Sequence, residues 1–148
     1  MHSRPALSPA HAGVTLVELC LVLALVGILT SVAMLHVARY LDRAAARAAI
    51  AEAATVVLRA RDEAAAQRTP VSVRIDTAAA ALELSARGVV LSRAALGHAH
   101  GVALSTTRDT LTYDVRGLGY GAANLTMVAR RGAAAESLVV SRLGRVRW

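Results

Sequence analysis

The sequence predicts an α+β protein, a long N-terminal helix followed by seven or eight short strands. Two observations carry that expectation. From Leu19 to Ala38 twenty residues run without a formal charge, and the helix-forming pattern continues through residues 39–68 with no glycine or proline. After Pro70 the apolar period falls from between three and four residues to two. A helical run followed by a run of strands is the α+β order.

The apolar run opens the helix. Twenty residues at about 1.5 Å each match a hydrocarbon layer roughly 30 Å thick, so residues 14–38 are expected to cross a membrane. Glu18 stands at the edge of this run, and a carboxylate carried to the bilayer centre costs on the order of 2.5–3.5 kcal/mol. A cleaved secretory signal is one reading, since Ser31-Val32-Ala33 has the small-x-small form of a cleavage site. Such apolar regions are, however, about 7–15 residues long and lack an acid at the start. A plain signal-anchor helix is a second reading.

Residues 39–68 continue the helix on Ala and Arg, both strong helix formers. Ala46, Ile50, Ala53, Ala54, Val57 and Leu58 make one apolar stripe, while Arg39, Arg43 and Arg47 fall on another face, read as solvated. Thr69-Pro70 ends the helix, because the residue before proline avoids the α region. Over residues 14–68 it would be roughly 80 Å long. Strands are expected at Val71–Ile75, around Leu82–Leu84, and at Val89–Arg93, Val102–Thr106, Leu111–Val115, Leu125–Arg130, Leu138–Arg142 and Arg145–Trp148.

Composition bounds the rest. The 148 residues carry 17 basic side chains, all arginine, against 10 acids, a net charge of +7. Hydrophobic residues make up 55% but aromatics only 3%, with no Phe, so the core must be built from Ala, Val and Leu. The one cysteine, Cys20, has no partner for an intrachain disulfide. Catalytic constellations are thin. Gly117-Leu118-Gly119-Tyr120-Gly121 lacks dinucleotide spacing and reads as a strand-connecting loop. His98-Ala99-His100, set between Gly97 and Gly101, offers at most two extended metal ligands, with Asp109 as a third candidate, and reads as a flexible loop. No enzyme, cofactor or metal site is expected.

Gly13-Val14-Thr15-Leu16-Val17-Glu18-Leu19 resembles the G-F-T-L-x-E motif of type IV pilins and type II secretion pseudopilins, with Val14 where Phe is usual. The resemblance implies a leader of residues 1–13, cleaved by a prepilin peptidase between Gly13 and Val14 on the cytoplasmic face, with N-methylation of Val14. It makes Glu18 an assembly residue, its carboxylate paired with the new α-amino group of a neighbouring subunit, which answers the cost of burying it. The arginine distribution runs the other way. Arg4 alone precedes the apolar run and Arg39, Arg43 and Arg47 follow it, so the positive-inside rule by itself favours the reverse topology.

The absence of proline at Leu35 and the closing VVSRLGRVRW look most like the GspH/FimT branch of minor pilins. That branch implies a periplasmic β-rich domain over residues 69–148, two small antiparallel sheets in a sandwich against the helix. Its implied role is a minor pseudopilin of a type II protein secretion system or related type IV pilus. The chain would sit in the bacterial inner membrane as a single-pass protein, with other pilins of a filament tip as partners. The alternative is a FimT-like minor pilin binding DNA during natural transformation. If residues 144–148 are extended, Arg145 and Arg147 point to one side and Val146 and Trp148 to the other. Paired guanidiniums suit phosphates and Trp148 suits base stacking. An arginine-rich edge that discourages aggregation is the plainer reading of the same residues.

Overall fold

The computed structural model describes residues 13–120, 124–141 and 144–148. The expected leader, apart from Gly13, therefore lies outside the described residues, as do Gly121 of the glycine-rich stretch and Arg142. The chain divides between Val37 and Ala38 into two units.

Helix α1 spans Leu16–Gln67. In its first part every large apolar side chain from Val14 to Val37 is exposed, and an eighteen-residue window is apolar enough to cross a membrane with none of it buried. Two hydroxyls in that stretch bond back to the helix: Thr30 Oγ1 donates to the Val26 carbonyl at 2.7 Å and Ser31 Oγ to the Gly27 carbonyl at 2.8 Å. Neither is left without a partner in an apolar setting.

In the second unit α1 turns one face to a core. Ala46, Ala49, Ala53, Ala54, Ala60 and Ala64 are buried, with Ile50 and Val57 between them. The expected stripe thus holds except at Leu58, which is exposed. The helix ends in a Schellman motif: Arg68 takes φ +48 and the Thr69 N–H donates to the Ala64 carbonyl at 3.3 Å. The stop falls one residue before Thr69-Pro70, with arginine where glycine is usual.

Eight strands follow among the described residues: β1 (Val71–Asp76), β2 (Ala81–Ala86), β3 (Val89–Ala94), β4 (Ala103–Thr106), β5 (Thr110–Tyr113), β6 (Leu125–Arg131), β7 (Ala134–Val140) and β8 (Val146–Arg147). They form two four-stranded antiparallel sheets, ordered β3-β2-β1-β5 and β4-β6-β7-β8. Alternation sends Val71, Val73 and Ile75 of β1, and Leu125, Met127 and Ala129 of β6, into one core shared with the alanine face of α1. The fold is the α+β arrangement that the sequence predicts, a long N-terminal helix packed on antiparallel sheets.

Three expectations need correction. His98 and His100 lie not in a loop but in a short helix, α2 (Leu96–His100), held by Leu96, which is fully buried, and closed by Gly101 at φ +65. β5 stops at Tyr113 rather than Val115, because the Asp114 carboxylate accepts the Arg116 and Leu118 N–H groups at 2.9 and 2.8 Å and turns the chain. β7 starts at Ala134 rather than Leu138, since a two-residue connection, Gly132-Ala133, pairs Arg131 with Ala134. Gly132 has φ +53, and a Cβ there would run into the Asp42 carboxylate.

Tyr113 is the largest fully buried side chain, and its hydroxyl has no hydrogen-bond partner among the described residues. Burial pushes its pKa up to about 12 from 10.0, against a smaller opposing pull from Arg61. With the folded value above the unfolded one, the fold tolerates only the neutral phenol, so stability is unaffected below about pH 10 and falls as pH rises from there through about 12. Tyr113→Phe removes an orphaned polar atom whose burial costs about 1–3 kcal/mol. We expect the variant to melt at the same temperature or higher at neutral pH, and to lose less stability than the parent between pH 10 and 12. Circular dichroism melts of detergent-solubilised chain check this, and a large drop at neutral pH would show that the hydroxyl has a partner.

Candidate functional site

The two sets of residues singled out in the sequence fall one in each unit. In the first, Gly13, Val14 and Thr15 precede the helix, and Thr15 is its N-cap. The Thr15 hydroxyl accepts the Glu18 N–H at 3.2 Å and the Thr15 carbonyl accepts the Leu19 N–H at 3.1 Å. Thr15-Leu16-Val17-Glu18 has the spacing of a capping box, a signal that the sequence reading passed over. Glu18 sits in the first turn, where free N–H groups and the helix dipole favour an anion. Its side chain is exposed, as are Gly13 and Val14. Gly13 has no positive φ, and a Cβ would meet nothing within 4 Å. The fold itself gives no reason for glycine there.

In the second unit the C-terminal edge is built by a turn. Gly144 donates to the Ser141 carbonyl at 2.9 Å, Ser141 donates to the Arg145 carbonyl at 2.8 Å, and the Arg145 N–H donates to Ser141 Oγ at 3.1 Å. Gly144 has φ +73, and a Cβ would press on the Tyr113 ring at 3.3 Å, so the turn packs directly on the core. β8 then pairs with β7 through Val140↔Val146 and Val139↔Arg147. Arg145 and Arg147 are exposed, and Val146 is half-buried against the core.

Trp148 does not pack into the core beside Val146: it is 66% exposed, and it borders a cleft with Arg47, Ile50, Ala51 and Glu136. β8 has only two residues, so the ladder ends before it can hold the indole. Arg47, expected on a solvated face, bonds Glu136 through Nε at 3.0 Å while remaining exposed. This pair neutralises the only acid between Arg130 and Trp148. Arg131 is committed elsewhere. Its Nε lies 3.2 Å from Asp42 Oδ1 and its Nη1 donates to the His100 carbonyl at 2.7 Å. Of the five C-terminal arginines, Arg130, Arg145 and Arg147 make no ion pair among the described residues.

The two histidines do not assemble a metal site. His100 Nε2 lies 2.7 Å from Glu52 Oε2, a contact that ties α2 to α1, and His98 is exposed. Among the described residues no three His, Cys, Asp or Glu side chains converge on a common point. Glu52–His100 and Asp42–Arg131 link residues far apart in sequence, and no local pattern marks either pair.

Neither a family model nor a curated protein sequence matches the chain. Solved structures do. Type IV minor pilin FimU of Pseudomonas aeruginosa superimposes with a TM-score of 0.62 at 18% identity, over 73% of this chain and 90% of that one. A second crystal form of FimU gives a TM-score of 0.58. The minor pseudopilin EpsH from the Type 2 Secretion System of Vibrio cholerae gives 0.55 at 16% identity, over 69% of this chain and 94% of that one. At these identities the likeness is one of architecture, and the chain has the fold seen in a type IV minor pilin and a type II minor pseudopilin.

Proposed function

We propose that this chain is a non-enzymatic minor pilin or minor pseudopilin. On this reading residues 1–13 are a leader removed by a prepilin peptidase, and Val14 is the methylated N-terminus. Residues 14–38 anchor the protein in the inner membrane, residues 39–68 form the extramembrane half of the helix, and residues 69–148 are the periplasmic domain. Glu18 directs assembly with other pilins into a type II secretion pseudopilus or related type IV pilus. The observation that carries the proposal is the unburied apolar stretch of α1, which begins just after Gly13 and holds Glu18 in its first turn, attached to a pilin-type fold. A glycine that the fold does not require, placed where a peptidase would need it, supports the same reading.

A second reading is a DNA-binding minor pilin for transformation. It is favoured by Arg145 and Arg147 standing exposed at one edge beside an exposed Trp148, with the nearby acid Glu136 already paired. Two guanidiniums reach phosphates without reading sequence, and the indole offers a stacking face.

Intact-mass measurement of membrane-extracted protein should show the loss of residues 1–13 and the gain of one methyl group. A full-length chain, or one cut near Ala33, would overturn the pilin reading. Glu18→Val should leave the protein inserted and stable, because it removes a charge from an apolar helix, while co-purification with other pilins fails. Normal co-purification would remove Glu18 from assembly. For the second reading, duplex DNA should bind at about 10⁻⁴ to 10⁻⁶ M with marked salt dependence, and Arg145→Gln with Arg147→Gln should flatten the salt slope by roughly two units with little change in melting temperature. Absence of binding at low salt leaves the filament subunit alone standing.

A further inference from the structure

The two sheets end in four edges, β3 and β5 in one and β4 and β8 in the other. Three are short or covered. β4 has four residues and β8 two. β5 is covered by the segment that follows it, through the Tyr113↔Gly119 bridge and the Tyr120 N–H donating to the Thr112 carbonyl at 2.8 Å. β3 differs. It is six residues long, its outer side has no strand partner among the described residues, and Val89, Val90 and Leu91 are 62%, 53% and 38% exposed.

A long apolar edge presents unpaired N–H and C=O groups to any extended chain, and proteins ordinarily blunt such edges with central charges, prolines or a cover. At β3 the only such device among the described residues is a bulge. Leu84 faces Ser92 and Ser85 faces Val90, which leaves Leu91 unmatched. The charges stand at the ends, where Arg87 and Arg93 are exposed. Arg87 is fixed by donating from Nε to Thr69 Oγ1 at 3.2 Å. Arg93 ends a cross-strand row, Arg74 opposite Glu83 and Glu83 opposite Arg93. The row alternates in sign and stops at the edge on a cation.

We propose that the β3 edge docks an extended segment of another protein, apolar in its middle and acidic at its ends, added as a fifth strand to the β3-β2-β1-β5 sheet. The ladder would supply main-chain hydrogen bonds, and Val89, Val90 and Leu91 would pack on the incoming side chains. A carboxylate opposite Arg93 continues the alternating row, since opposite charges directly across a ladder are favourable and like charges are not. A second copy of this chain is the poorer occupant, because each chain carries +7 and the same two edge arginines. One added strand covers less than the roughly 800 Å² per partner of a stable free complex, so the docking is weak in solution and gains strength where both proteins are held close together. The inference does not rest on the filament reading.

The test uses full-length protein in detergent and two labelled nine-residue peptides with one Val/Thr centre, flanked by Asp and Glu in the first and by Lys in the second. The acidic peptide should bind saturably, slow amide exchange at residues 89–94, and bind at least roughly tenfold more tightly than the basic one. Leu91→Lys should abolish that binding, while Val139→Lys, an exposed position on β7, should leave it unchanged. Should Leu91→Lys melt early, Val89→Lys takes its place. Absence of saturable binding, protection outside β3, equal binding of the two peptides, or binding that survives the β3 variant each overturns the proposal. So does crosslinking of two copies of the chain through β3.

Discussion

Burial of the alanine face of α1 in the core it shares with the two sheets is the constraint on which the second unit depends. With 3% aromatics and no Phe, the core has few side chains that span a wide gap. Interiors must nevertheless pack at crystal-like density. The helix contributes Ala49, Ala53, Ala60 and Ala64, all fully buried, a smooth face on which larger side chains of the strands can pack. Leu82, Leu84, Leu111, Leu125, Met127 and Leu138 then fill the space that remains. A larger residue at any of these alanines would force the helix outward, and overpacking of this kind costs about 1–3 kcal/mol.

The same packing explains why the polar links lie where they do. Once the alanine face is seated, the flanks of α1 come within reach of the strands and of α2. Glu52 then meets His100, Asp42 meets Arg131, and Arg47 meets Glu136. Each pair is at least partly exposed, so each contributes little as an isolated charge pair. Their effect is to fix the rotation of the helix about its own axis. Gly132 shows how tight this is, since its hydrogen stands where any side chain would strike the Asp42 carboxylate.

What was legible in the sequence was what repeats. The apolar run, the alanine stripe and the alternation of Val71, Val73 and Ile75 all recur at fixed spacing, and all reappear in the structure. What was not legible was decided by single residues acting across the chain. Ala134, Ala135 and Glu136 have weak strand preference, yet they join β7 because the hairpin at Gly132 holds them opposite Arg131, Arg130 and Ala129. His98 and His100 looked like a loop between two glycines until Leu96, buried in the core, anchored them as a helix. At the candidate site, Gly13, Val14 and Glu18 could be proposed because they fall within one short motif. The exposure of Trp148 could not, because it follows from how early β8 stops.

On the proposed reading Glu18 is a costly residue used twice. In the isolated chain it belongs to the first turn of α1, with Thr15 satisfying its N–H and the helix dipole favouring its charge. This local stabilisation, about 0.3–1 kcal/mol for the dipole at an exposed site, is smaller than the cost of taking a bare carboxylate into an apolar interior. It favours the ionised carboxylate without removing its need for a cation. On the proposed reading, cleavage after Gly13 supplies that cation as an α-amino group, and a subunit arriving with one completes the pair. The cap also fixes where the helix begins, so Val14 would stay just outside it and close to Glu18. On that reading the carboxylate favours assembly, because its best partner is carried by another chain.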